Sequence, residues 1–585
     1  MNAQWNLDPI YTGFDDPAYR SDLEALTAAV AELEQFAAGL DRTAPIDGLR
    51  RGIALGETIQ LLVNKLAEYA SLRQAANTRD ADAGSQMGRI MSIVSGSAAP
   101  EAAFKAWAAK LPDLMALVEG DETLKDYRYL FSNIKKDSRY LLPGLGESVM
   151  AKMSLSGSSA WSDLQQYLTS TVPVTYRGQT TNLSAVRNLA YDPDPQVRKD
   201  AYEAELACYD RIEDAVAYAL NSIKLETITD CQLRGYASPL DRTLEQSRME
   251  RATLEVMLGA MDEYLPKFWQ YLKTKGKALG HENGLPWYDL FAPMGHAAAK
   301  FTAEDARTYL VNLFRGFDGE LADMVAEAFD NAWIDFYPRD GKAGGAFCAG
   351  VECLQESRIL TNFDGMFTDV VTLAHELGHA FHNRCIRTHR PLNHDYSMPV
   401  AETASTFNEC VVMAAAIRDA SDPQEKLALI ESQLQDATQI ICDIYSRYRF
   451  EASVFANREQ EFMPADKLCQ LMLTAQKQSY GDGLDPDCLH PYMWVCKSHY
   501  YGPTFYNFPY AFGGLFARGL YARYEQEGPA FVPKYKKLLY ATTVSSAEDT
   551  ARVAGIDLTD KAFWRSALQT IADEIDKFCE LLNRN

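Results

Sequence analysis

Three successive segments, 17–40, 46–79 and 84–112, each carry their apolar residues on one helical stripe, with only short breaks between them. The first closes on a glycine and the third on Pro112. Long amphipathic helices joined this closely must bury their stripes against one another, and the simplest way is a set of antiparallel helical hairpins. The same periodicity predicts three shorter helices over 122–168, broken at Pro143-Gly144 and Gly157. It predicts a long helix from Asp192-Pro193-Asp194-Pro195 to about residue 234, then helical blocks at 247–280 and on to about 332. Two stretches depart from it. Val and Tyr alternate around Arg177-Gly178 within 171–184, which predicts a small β-hairpin. Residues 333–363 are glycine-rich, with β-prone pieces at 333–337, 345–350 and 357–363, and these predict a small twisted sheet. From 366 the chain is helical again, apart from a glycine- and tyrosine-rich stretch at 481–514. The expectation is a mainly α protein: a helical N-terminal region, 1–195, with the hairpin, and a helical C-terminal region, 196–585, carrying the sheet.

Charge narrows the partners. With 57 basic and 80 acidic residues the net charge is −23, which argues against nucleic acid or an anionic membrane surface as partner. No run of about 18 apolar residues predicts a membrane helix, and the opening MNAQWNLDPIY lacks the pattern of a signal peptide. The 11 cysteines form no C-x-x-C pair and none precedes Cys208, a usage that fits a reducing cytoplasm. Oligomeric state is left open.

The histidines are more informative. Five of nine (His375, His379, His382, His389 and His394) fall within twenty residues. Residues 371–382, VTLAHELGHAFH, contain H-E-x-x-H as His375-Glu376-Leu377-Gly378-His379. On a helix, positions i and i+4 share a face, so both imidazoles can reach one ion, and neutral nitrogen donors at that spacing suit Zn2+. Glu376 lies about 100° further round the helix, where a carboxylate can take a proton from water on the ion's open side. Position 382 is His where the three-histidine version of the motif needs Gly, so a downstream carboxylate must complete the set. Asp395, Glu402 and Glu409 are the candidates. Pro399 can open a helix over 400–418, with Glu402, Ser405, Thr406 and Glu409 on one face. Glu402 is the expected ligand, and Glu409 the expected partner of a ligand histidine. His382 sits one turn beyond the ligands and reads as packing; His389 and His394 read as loop residues.

At these residues the sequence resembles the thimet-oligopeptidase-like zinc peptidases, and among them the oligoendopeptidase F group. The resemblance rests on DVVTLAHELGHAFH (369–382) and on PVAETAS with Glu402, Ser405 and Glu409. WNLDPIY, AWSDLQQYL with TVPVTYRG, RKDAYEA (198–204), GKAGGAF (341–347), RILTNFDG (358–365) and HYYGPTFYNFPYAFG (499–513) extend it over most of the chain. It implies a clam-like helical shell around a deep substrate channel, with the small sheet beside the zinc-binding helix. It implies one Zn2+ per chain, held by His375, His379 and Glu402, with Glu376 as general base. It further implies that the strand Arg358, Ile359, Leu360, Thr361 and Asn362 pairs with substrate backbone. His499, Tyr506 and Tyr510 are the candidates implied to stand over the substrate, and which of them donates to the oxyanion is left open.

The expected activity is hydrolysis of internal bonds in short unstructured peptides. Two alternatives are a zinc carboxypeptidase or dipeptidase on the same scaffold, and a non-catalytic helical peptide-binding scaffold. The presence of Glu376 argues against the last.

Overall fold

Local chemistry sets the helix ends. The Asp16 carboxylate accepts the Ala18 N–H (2.9 Å) and Pro17 takes the first helical position, so a helix runs Pro17–Ala38. The next spans Pro45–Ala76. The expected third helix is divided into Ala81–Val94 and Ala98–Lys110 by a tight turn at Ser95–Ser97, because Ser-Gly-Ser is a poor helix former. The computed structural model describes residues 3–142, 145–295 and 300–583. The break expected at Pro143-Gly144 lies outside them. The break at Gly157 separates Gly146–Ser156 from Ser158–Thr171.

The protein is mainly α with two small sheets. Its contacts divide it into two compact units, each built from three stretches of chain. One comprises Met1–Arg139, Ala298–Ala415 and Arg523–Gly555; the other comprises Tyr140–Ala297, Ala416–Ala522 and Ile556–Asn585. The units are interleaved, so a single cut near residue 195 does not describe them.

In the first unit the N-terminal helices cover a three-stranded sheet. Strand β3 (Ile334–Asp335) runs parallel to β5 (Glu356–Leu360), and β4 (Phe347–Val351) runs antiparallel along the other side of β5. Tyr11 meets both Tyr19 and Tyr69 edge to face, with Tyr11–Tyr19 ring centres 5.1 Å apart. They share a core with Val351 and Leu360. The helix Phe367–Ile386 lies on β4 and β5 and packs against the helix Val532–Ala541. Asp369 caps its start by accepting the N–H groups of Asp364 (2.9 Å) and Met366 (3.0 Å).

In the second unit the expected hairpin is present. Strands β1 (Pro173–Tyr176) and β2 (Gln179–Asn182) turn at Arg177-Gly178, both with positive φ. Val174 joins Tyr209, Leu220, Phe450 and Trp494 in one core. The long helix expected to 234 is two, Pro195–Tyr209 and Glu213–Arg234. Arg251–Ala278 packs along Lys561–Asn583. Among the described residues no helix is long and apolar enough to cross a membrane.

One glycine sets how closely two elements of the first unit approach. A Cβ on Gly378 would stand 2.5 Å from the Ala404 carbonyl oxygen and 2.6 Å from the Ser405 Cα. Both are backbone atoms, so no rotamer change relieves the clash. Gly378→Ala should force the two chains apart at a strain of roughly 1–3 kcal/mol. The expected result is a lower thermal midpoint; an unchanged midpoint would show that the contact is slack.

Candidate metal centre

The close approach at Gly378 brings a second helical stretch beside the first. Pro399 opens a single turn, Met398–Ala401, and a longer helix follows at Thr403–Asp419. Glu402 is the joint between them, with φ −91° and ψ 11°, so it sits on a break where the sequence suggested one continuous helix. Two side chains lock the register across the gap. Asn408 Nδ2 donates to the Ala374 carbonyl (3.1 Å), and Glu409 Oε1 lies 2.6 Å from His375 Nδ1.

This places three donor atoms in a triangle. His375 Nε2 and His379 Nε2 are 3.2 Å apart, and each lies 3.3 Å from Glu402 Oε2. Tetrahedral ligands at about 2.0–2.1 Å from a common ion are separated by about 3.3–3.4 Å, so the triangle fits one tetrahedral metal ion with its fourth position open. Among the described residues this is the one group of three or more His, Cys, Asp or Glu side chains close enough to hold a metal. Ser405 Oγ donates to Glu402 Oε2 (2.7 Å), and Glu409 fixes which His375 nitrogen faces the triangle.

The electrostatics favour a cation. Burial opposes protonation of His375, but hydrogen bonds to Glu402 and Glu409 outweigh it and raise its pKa to about 10. The two imidazoles and Ser405 pull the Glu402 carboxyl far below the usual range, despite its burial. Glu376 is 6% exposed, and burial holds its carboxyl above the ordinary value. No hydrogen bond from a described residue reaches its carboxylate.

The other histidines lie apart. His382 is fully buried, stacks on Tyr396 with ring centres 4.5 Å apart, and bonds Thr542 through Nε2 (2.8 Å). His389 Nε2 bonds the Tyr540 carbonyl (2.7 Å), and His394 Nδ1 pairs with Glu352 (3.1 Å). Asp395 is not in the metal triangle.

The strand expected to pair with substrate needs correction. Strand β5, with Arg358, Ile359 and Leu360, is the middle strand, and both of its edges are occupied. Ile359 N–H and Thr361 N–H bond Trp333 and Asp335 on one side, and β4 takes the other. The Arg358 side chain is 1% exposed and bonds the Asn6 carbonyl and Glu356. Asn362 holds the loop carbonyls of Ala343 and Gly345. The open edge belongs to β4. Because Ile359 faces β3, its cross-strand partner Cys348 turns its own N–H and C=O away from β5, and no hydrogen bond from a described residue meets them there.

His499, Tyr506 and Tyr510 form a three-ring cluster in the second unit. Ring centres are 5.6 Å apart for His499–Tyr506, 5.9 Å for His499–Tyr510 and 5.3 Å for Tyr506–Tyr510. Burial, aided by Arg447 and Lys497, lowers the His499 pKa to about 4, so the imidazole is neutral. What sequence reasoning missed is the clamp under this cluster. Glu451 and Lys224 form an ion pair at 2.6 Å, each 1% exposed. The same carboxylate accepts the Phe505 N–H (3.1 Å) and Asn507 Nδ2 (2.7 Å), bracketing Tyr506. Phe505 has φ 51°, a conformation a bulky residue adopts only when its neighbours hold it. Lys224 and Glu451 lie mid-helix without a motif, so no local signal could have found them.

The chain is similar to known proteins along most of its length. A model of peptidase family M3 matches residues 188–570, and one described as Oligopeptidase F matches 99–172. Oligopeptidase PepF of Bacillus subtilis is 24% identical, covering 99% of this chain and 87% of its own. Group B oligopeptidase PepB of Streptococcus agalactiae is 22% identical, covering 98% and 96%. Among solved structures, oligoendopeptidase-F from Enterococcus faecium superposes with TM-score 0.73 at 18% identity, covering 97% of this chain and 99% of its own.

The Glu409 contact carries a prediction. Glu409→Gln leaves the ligand set whole but weakens the hold on His375 Nδ1. Metal affinity should fall roughly 10- to 100-fold, measured by competition with a chromophoric chelator. His379→Ala should abolish stoichiometric binding in the same assay; an unchanged affinity in both would remove the triangle as the metal site.

Proposed function

The chain belongs to peptidase family M3, and from that premise we propose that it is a zinc-dependent oligoendopeptidase, cutting internal bonds of short peptides. The observation that carries the reading is the donor triangle of His375, His379 and Glu402 with the buried carboxylate of Glu376 one residue along the same helix. Two imidazoles and a carboxylate suit Zn2+, and the names of the relatives, oligopeptidase and oligoendopeptidase, support short peptides as substrates.

Zinc bound there would supply Lewis acidity, polarising the scissile carbonyl and acidifying a water. The chain's own residues do the rest. Glu376, whose burial favours proton uptake, takes a proton from the attacking water and delivers it to the leaving amine. Glu409 holds the His375 imidazole in one orientation, and Ser405 does the same for Glu402. The outward N–H and C=O of Cys348 on β4 offer a substrate backbone an antiparallel partner. Cys348 is close enough to Glu376 for the carboxylate to disfavour its thiolate, so this edge passes beside the base. The Tyr506 hydroxyl, with His499 and Tyr510, is assigned to the oxyanion on the resemblance in sequence.

The decisive test is a digest of a mixed peptide library by the purified protein, read by mass spectrometry with and without chelator. Internal cuts that vanish with chelator and return with zinc are expected. Glu376→Gln should keep its zinc and lose turnover by several orders of magnitude; near-normal turnover would remove Glu376 from its role. Tyr506→Phe should lower kcat more than it raises KM, by the roughly 3–4 kcal/mol that one oxyanion donor supplies.

A further inference from the structure

Beyond the metal triangle, the first unit contains a cavity of about 210 Å³ between the helix Pro45–Ala76, the end of β4 and the last turns of the metal helix. Its lining includes Glu68, Trp333, Glu352 and Asn383. Several of its polar groups lack partners. Trp333 is 3% exposed, and its indole N–H finds no acceptor. One Glu352 oxygen pairs with His394, but the other, fully buried, has no donor. No hydrogen bond or ion pair from a described residue reaches Glu68, and burial together with the charge of Glu352 pushes its carboxyl up to about 6. Of the two lining arginines, Arg384 is committed to Glu327 (2.9 Å), and Arg387 makes no ion pair with either carboxylate. Glu68 with no ion-pair partner and the unbonded second oxygen of Glu352, beside an unused N–H donor, describe a site for a ligand with a positive group and a neighbouring oxygen. The carboxylates do not come close enough with a third ligand to hold a metal ion, so an ammonium is the better fit.

The position of the cavity says where that ammonium comes from. Along strand β4 the chain passes from Cys348, whose thiolate the charges of Glu376 and Glu68 disfavour, to Val351, and Glu352 follows. The free edge ends where Asn64 takes over. Its side chain donates to the Gly350 carbonyl (3.3 Å) and accepts the Glu352 N–H (3.2 Å), as a neighbouring strand would. A peptide paired antiparallel with this edge has its N-terminus at the Glu352 end. A parallel peptide would bring its terminal carboxylate against two carboxylates, so charge selects the antiparallel direction.

We propose that this cavity, lined by Glu68, Glu352 and Trp333, binds the free N-terminal α-ammonium of a short peptide lying along β4. The inference rests on the peptidase reading and adds a ruler to it. Cys348 and Gly350, where Asn64 closes the edge, are two positions apart, about 7 Å at 3.3 Å per residue, and the cavity opens beyond, so the cut falls roughly two to four residues from the substrate's N-terminus.

The test uses the full-length protein loaded with zinc and one peptide in two forms, free and N-acetylated. Wild type should cleave the free form with kcat/KM roughly 10- to 100-fold higher, the penalty for leaving a buried charged group unpaired. Its cuts should cluster at a constant distance from the N-terminus when residues are added there. In Glu68→Gln, and in Glu68→Gln with Glu352→Gln, the ratio of free to acetylated kcat/KM should fall toward one. The single variant keeps the Glu352–His394 pair in case the double variant folds poorly. Equal cleavage of both forms by wild type, or a ratio that survives both substitutions, overturns the ammonium site and leaves the peptidase reading standing. No chelator-sensitive cleavage of either form overturns both.

Discussion

The site depends on one contact between backbones. Gly378 lets the helix Phe367–Ile386 approach the chain at Ala404–Ser405 until no side chain fits between them. At any greater separation Glu402 would not reach the two imidazoles, and Glu409 would not reach His375 Nδ1. The glycine inside H-E-x-x-H is therefore a structural requirement of the third ligand, which lies on the other side of the gap. Asn408 bonding the Ala374 carbonyl fixes the register at the same height, so distance and register are set independently. A metal site built on two helices needs both, because sliding by one residue turns every side chain about 100° round the helix.

How much of this was legible in the sequence follows from how local each signal is. His375, His379 and Glu376 are visible because helical periodicity alone puts them together. Glu402 and Glu409 were reached because Pro399 starts a helix whose face carries both; the break at Glu402 itself was not visible, since nothing local distinguishes a joint from a helix interior. The hairpin was legible because Arg177-Gly178 fits a tight turn between alternating residues. The strand order was not. Pieces near 334, 347 and 356 have similar β character, and only long-range pairing makes β5 the middle strand and leaves the open edge to β4. The same limit hid Lys224 beneath Glu451 and brought Glu68 into a cavity with residues almost three hundred positions away.

The net charge of −23 takes on more meaning once the carboxylates are placed. In the second unit, three buried carboxylates are matched. Glu431 meets Lys275 at 2.5 Å, Glu451 meets Lys224 at 2.6 Å, and Glu205 meets both Arg187 and His490. Such pairs keep the cost of burying charge within reach, because each ion has a fixed partner and further hydrogen bonds. Along β4 the pattern is different. Glu376, Glu68 and one oxygen of Glu352 accept no hydrogen bond from a described residue. Along this strand edge three carboxylates are left incompletely satisfied where substrate is proposed to lie. One of these carboxylates is positioned to take up a proton during the reaction. Under the proposed function the other two face a charge that arrives with the peptide, so along this edge catalysis and recognition would both draw on carboxylate oxygens left short of hydrogen-bond donors.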